Sequence, residues 1–95
     1  MKTTALVAGL LFLPTIVAAE KIYESTDYYD GIGTCITEIN KDLTTSIYVT
    51  CGFKTGNCSG HDLDDGFVCM SGGETGYPTN ANKAVNWLLN AIARQ

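Results

Sequence analysis

Leu43-Thr44-Thr45-Ser46-Ile47-Tyr48-Val49-Thr50-Cys51-Gly52-Phe53 alternates with a period of two. Ile47, Val49, Cys51 and Phe53 fall on one side of an extended chain, and Tyr48, Thr50 and Gly52 on the other. Successive side chains of a strand point to opposite faces, so this stretch predicts a half-buried strand with the first set inside. Everything around it can be placed relative to that strand.

Towards the N-terminus, Ile32 to Ile39 is rich in β-branched residues, and Cys35, Thr37 and Ile39 share a face. Asn40-Lys41-Asp42 separates this stretch from the central strand as a turn. Glu20 to Thr26 reads as a first short strand, followed by a turn at Asp27-Tyr28-Tyr29-Asp30-Gly31. Towards the C-terminus, Lys54 to Gly66 reads as a polar, glycine-rich loop, Phe67 to Met70 as a short strand, and Ser71 to Pro78 as a second loop. The period then changes. Ala81, Ala84, Val85, Leu88 and Ile92 recur at helical spacing, widened by Trp87, Leu89 and Ala91. Thr79 or Asn80 can cap such a helix, which runs to about Arg94. Trp87, on the sheet-facing side, is expected in the core. The pattern predicts an α+β domain: an antiparallel sheet of three to four strands packed by a C-terminal helix.

The first 19 of the 95 residues have a different character. Lys2 precedes an apolar run, and Val17 and Ala19 occupy the −3 and −1 positions before Glu20. This is the arrangement of a secretory signal peptide. Ala5 to Ala19 contains Pro14 and is shorter than the roughly 20 residues of a bilayer crossing. We therefore expect a signal peptide at 1–19 and one secreted domain at 20–95, with no stable membrane insertion. Removal of the leader takes away one lysine and no acid, so the formal charge moves from −4 to −5.

Export determines how Cys35, Cys51, Cys58 and Cys69 are read. An even count in an oxidising compartment predicts disulfides. The tight C-x₂₋₄-C pairs of a zinc site do not occur. Three pairings are open to four cysteines. The reading prefers Cys35 with Cys69, and Cys51 with Cys58.

Few residues suggest chemistry. His61, the sole histidine, stands beside Asp62, Asp64 and Asp65 on the glycine-rich loop. Adjacent residues on a loop are poorly held for proton transfer, and the neighbouring charges would oppose an anionic transition state, so no catalytic residue is assigned. Counted from Asp62, Gly66 falls at position five and Gly73 at twelve, whereas a calcium loop needs glycine at six and glutamate at twelve. No metal or cofactor is therefore expected. Asn57-Cys58-Ser59 is a glycosylation sequon. Tyr28, Tyr29, His61, Asp62, Asp64 and Asp65 form the candidate binding surface, because tyrosine joins a rigid apolar body to a polar tip. Lys21, Lys41, Lys54, Lys83 and Arg94 are scattered in a chain of net negative charge, which argues against nucleic acid. The helix also lacks the basic face of a membrane-lytic peptide.

The leader ending Val17-Ala18-Ala19, the 76-residue remainder and the four cysteines together resemble the small cysteine-containing secreted proteins of filamentous fungi. Many of these are effectors delivered to plants. The resemblance is one of layout over the whole chain. It implies an extracellular, host-directed virulence protein. Some such proteins are β-sandwiches with one disulfide; others, like certain fungal killer toxins, set helices on a sheet, which suits residues 43–94 better. The expected function is non-enzymatic binding of a host or extracellular protein. The alternatives are a toxin or antimicrobial acting on competing cells, and a small secreted hydrolase.

Overall fold

The computed structural model describes residues 19–95, so the expected leader lies, apart from Ala19, outside the described residues. Six strands follow in chain order: β1 (Glu20–Tyr29), β2 (Gly33–Lys41), β3 (Thr45–Cys51), β4 (Lys54–Gly60), β5 (Phe67–Ser71) and β6 (Glu74–Gly76). One helix, α1 (Ala81–Ala93), closes the chain. The strands form a single antiparallel meander in which each pairs with its sequence neighbours. The fold is therefore α+β, an antiparallel sheet with two disulfides packed against one C-terminal helix. This is the general style of small cysteine-rich secreted proteins.

The core lies between α1 and the sheet. Thr45, Ile47, Val49 and Cys51 of β3 are buried, while Tyr48 and Thr50 are exposed on the opposite face. Cys35, Thr37 and Ile39 of β2 continue the buried face, as do Cys58 of β4 and Phe67 and Cys69 of β5. From the helix, Ala84, Leu88, Leu89, Ala91 and Ile92 fill the space. Asn80 is the N-cap: its side-chain oxygen accepts from the Lys83 amide at 2.9 Å. One core assignment fails. Cys51 pairs with Lys54 across the two-residue loop Gly52-Phe53, so Phe53 belongs to the hairpin tip and is fully exposed, at 105%.

Two segments expected as loops are strands. Lys54–Gly60 offers positions 56, 58 and 60 to the interior as glycine, cysteine and glycine, a sequence with no apolar alternation. The bulk comes from the facing elements. A Cβ on Gly56 would stand 2.7 Å from Leu88 Cδ2 and 2.9 Å from Ser71 Cβ. A Cβ on Gly60 would be 2.8 Å from the Phe67 ring. Glycine within a strand marks close approach of another group, and here it lets α1 settle onto β4. In β6, Gly76 lies directly against the Trp87 indole, leaving no room for a side chain. The β5–β6 connection is the two-residue loop Gly72-Gly73, with both φ angles positive (57° and 85°), the backbone that tight hairpins favour and glycine supplies.

The disulfide pairing also differs from the preferred one. Cys35 is bonded to Cys51 and Cys58 to Cys69, each joining neighbouring strands on the buried face. Cys35 on β2 and Cys69 on β5 are separated by β3 and β4. Three strand spacings amount to about 14 Å, beyond the reach of a disulfide. Cys51 and Cys58 lie on adjacent strands but out of step, because Cys51 is opposite Lys54 and Cys58 opposite Ile47.

The C-terminal end is tied to the sheet by polar contacts. Arg94 donates to both carboxylate oxygens of Glu74, from Nη2 at 2.7 Å and Nε at 3.1 Å. The guanidinium holds the Glu74 carboxyl below the usual carboxylate range. Arg94, at the C-terminal end of α1, thus acts as a clasp to β6. Lys54 Nζ donates to the Gln95 carbonyl at 2.9 Å. Among the described residues, no helix is long and apolar enough to cross a membrane.

Candidate binding groove

The helix packs on β3, β4 and β5, and the sheet extends past it. β1 has ten residues, none buried; only Ser25 and Tyr29 are half-buried. Its register places Tyr23, Ser25, Asp27 and Tyr29 opposite Ile39, Thr37, Cys35 and Gly33, so these side chains share the face that carries the helix. A break in register between Lys21 and Tyr23 leaves Ile22 unpaired as a bulge.

The overhang creates an open groove of about 830 Å³. One wall is β1, with Ile22, Tyr23, Ser25, Asp27 and Tyr29; Thr37 and Ile39 of β2 contribute the floor. The other wall is the N-terminal half of α1, with Ala81, Asn82, Val85 and Asn86, while Leu63, Asp64 and Asn80 close one end. Tyrosine, aliphatic and amide groups alternate around it. Asp27 and Asp64 are the sole charged residues among those lining it.

The 61–66 loop is fixed by its backbone although its side chains are exposed. Thr45 Oγ1 donates to the His61 carbonyl at 2.9 Å, and the Ala81 amide donates to the Leu63 carbonyl at 2.8 Å. The Asp65 amide donates to the Asp62 carbonyl at 3.0 Å. Lys41 Nζ donates to Asp62 Oδ1 at 2.9 Å, and this bond holds the Asp62 carboxyl below its ordinary range. His61 Nε2 stands 3.6 Å from Asp62 Oδ2, with a side chain 73% exposed. Thus the aspartate nearest the histidine is already engaged by a lysine, and His61 does not line the groove.

Of the residues singled out by sequence, Tyr29 and Asp64 line the groove. Tyr28 points to the opposite face of β1 and is exposed, because neighbours on a strand diverge. His61, Asp62 and Asp65 are exposed on the adjoining loop outside the groove lining. Asn57 is exposed on β4, on the sheet face away from α1, between Tyr48 of β3 and Met70 of β5. The walls, Ile22, Tyr23, Ser25 and Asp27 on one side and Asn82, Val85 and Asn86 on the other, are not among the site residues expected from the sequence. The period-two pattern Tyr23-x-Ser25-x-Asp27-x-Tyr29 was present, but a strand through residue 29 had to be recognised first.

Among the described residues, no three His, Cys, Asp or Glu side chains are grouped as a metal site would require. Comparison of the chain with protein-family models, with curated proteins and with solved structures finds no match.

Proposed function

We propose that this chain is a secreted, effector-like protein that binds an extracellular or host protein, and that it does so through the groove between β1 and α1. The observation that carries the reading is the composition of that groove. Tyr23 and Tyr29 give large rigid contact area, Ile39 an apolar floor, Ile22, Leu63 and Val85 apolar groups around it, and Asn82, Asn86 and Ser25 hydrogen-bonding groups. Protein interfaces concentrate aromatic anchors over an apolar centre with a polar rim. The fungal, host-directed part of the reading is supported by the leader and cysteine layout. A non-catalytic role is supported by the position of His61, which is solvent-facing and stands beside an aspartate that Lys41 holds.

The test is comparative capture. Oxidised chain is immobilised beside two variants, Tyr29→Ala and Val85→Lys, whose far-ultraviolet spectra and melting behaviour show a retained fold. A protein retained from host tissue by the unaltered chain is then titrated against all three in purified form. The reading requires at least about tenfold weaker binding by the variants, equivalent to some 1.4 kcal/mol. Equal binding by all three would remove the groove from the account. Killing of isolated competing microbes by the purified chain, with no captured partner, would overturn the binding reading itself.

A further inference from the structure

We infer that β1 is an acceptor strand: an extended, positively charged segment of the partner protein adds to its outer edge as a seventh strand and turns alternate side chains to the sheet face that carries the groove. This inference rests on the reading that the groove is a protein-binding site.

Three observations combine. First, β1 pairs with β2 from Glu20 to Tyr29 except at the Ile22 bulge, and among the described residues no strand pairs with its other edge. Ten residues at about 3.3 Å each offer an edge about 33 Å long. Every second residue there leaves a backbone donor and acceptor unpaired. The opposite edge, β6, has three residues, and its Glu74 is clasped by Arg94. Second, the edge adjoins the groove. A strand added to β1 continues the pleat, so its alternate side chains emerge on the α1 side, beside Tyr23, Ser25, Asp27 and Tyr29. In such additions the main chain supplies affinity, and pockets for alternate side chains supply specificity.

Third, charge selects the occupant. Asp27 and Asp64 are the only formal charges among the lining residues. β1 itself carries Glu20, Glu24 and Asp27 against Lys21. The Lys21 ammonium is already occupied, 3.1 Å from Glu24 and 3.7 Å from Glu38. A second copy of β1 would set one net-negative strand against another, and charge on an exposed edge disfavours self-pairing. A strand bearing lysine or arginine at alternate positions meets the opposite field.

The experiment uses the oxidised chain and a nine-residue peptide of alternating lysine and threonine. Two comparison peptides accompany it: alternating glutamate and threonine, and the lysine peptide with every backbone amide N-methylated. The methylated peptide keeps all its charge but cannot donate to a strand. We expect binding of the plain lysine peptide alone, weakened by salt and reduced at least tenfold by Asp27→Lys in a chain with an unchanged melting point. Equal binding of the methylated peptide would show attraction without strand addition and overturn the inference. No binding by the lysine peptide would also overturn it. If a captured partner still loses affinity for Tyr29→Ala while the peptides fail, strand addition falls and the groove reading stands. If the peptides behave as expected but the groove variants bind every captured partner normally, the groove reading falls and the acceptor strand remains.

Discussion

The two ends of the sheet are built by opposite rules. At the β4–β6 end, small residues face large ones: Gly56 lies beneath Leu88, Gly76 beneath Trp87, and Cys58 is bonded to Cys69. Nothing larger fits, and the helix lies close to the strands. At the β1 end the relation is reversed. Large side chains, Ile22, Tyr23 and Tyr29, stand on a strand with no helix directly over it. One end spends its apolar groups on folding. The other retains them at a surface, where they can contribute to binding at little cost to stability.

The comparison is broken most severely from the covered end. Leu88→Ala should lower unfolding free energy by about 2–5 kcal/mol, because Leu88 is fully buried and its removal leaves a cavity over Gly56. Replacing both Cys58 and Cys69 by alanine should cost about 2–4 kcal/mol. Tyr23→Ala, on the exposed wall, should stay within about 0.5 kcal/mol. Urea titration of the three variants checks the ordering, and similar losses for Leu88→Ala and Tyr23→Ala would erase the distinction.

A smaller effect sharpens the packing argument. Gly56→Ala adds one methyl where Leu88 and Ser71 leave less than 3 Å, and should destabilise by about 1–3 kcal/mol. Adding a methyl at Ser25, which faces the open groove, should be nearly silent by the same measurement. Ser25→Thr supplies it without changing the hydroxyl chemistry.

The smallest expected effect depends on pH. Arg94 depresses the Glu74 carboxyl, and Lys41 depresses that of Asp62. Since the folded values lie below the unfolded ones, both contributions are complete above the ordinary carboxylate range and disappear as pH falls through the folded values. The urea midpoint of the unaltered chain should therefore exceed that of Glu74→Gln near neutrality, with the gap closing on acidification. A constant gap would mean that the Glu74 charge contributes nothing.

The same contrast explains what was legible in the sequence. β3 and α1 could be read because each carries its own apolar pattern, Ile47-x-Val49-x-Cys51 and Ala84/Leu88/Ile92. Their burial is inscribed in their own residues. β4 and β6 are illegible because, Cys58 apart, their inward positions are glycines, and their burial is recorded in Leu88, Trp87 and Phe67 instead. Phe53 was misplaced because the alternation runs unbroken through Gly52, where the chain turns. The disulfide pairing followed once β4 was a strand, since that sets Cys58 opposite Cys69. The groove needed both the full length of β1 and the helix offset, neither of which is a local property. Composition alone points to Tyr29 and Asp64, whereas Tyr23, Asp27 and Val85 emerge only from the register.

The two disulfides span residues 35–51 and 58–69, intervals that neither overlap nor nest. Each closes one neighbourhood of a meander whose strands pair only in sequence order. Either bond can therefore form first without trapping the chain on the wrong side of the other. Contacts of short sequence separation also carry a modest loop-closure entropy. If the chain is secreted as proposed, and so emerges N-terminus first into an oxidising compartment, Cys35 and Cys51 can pair before Cys58 is available, and nothing then has to be undone. Its assembly can proceed like a zip fastener, in the direction of travel.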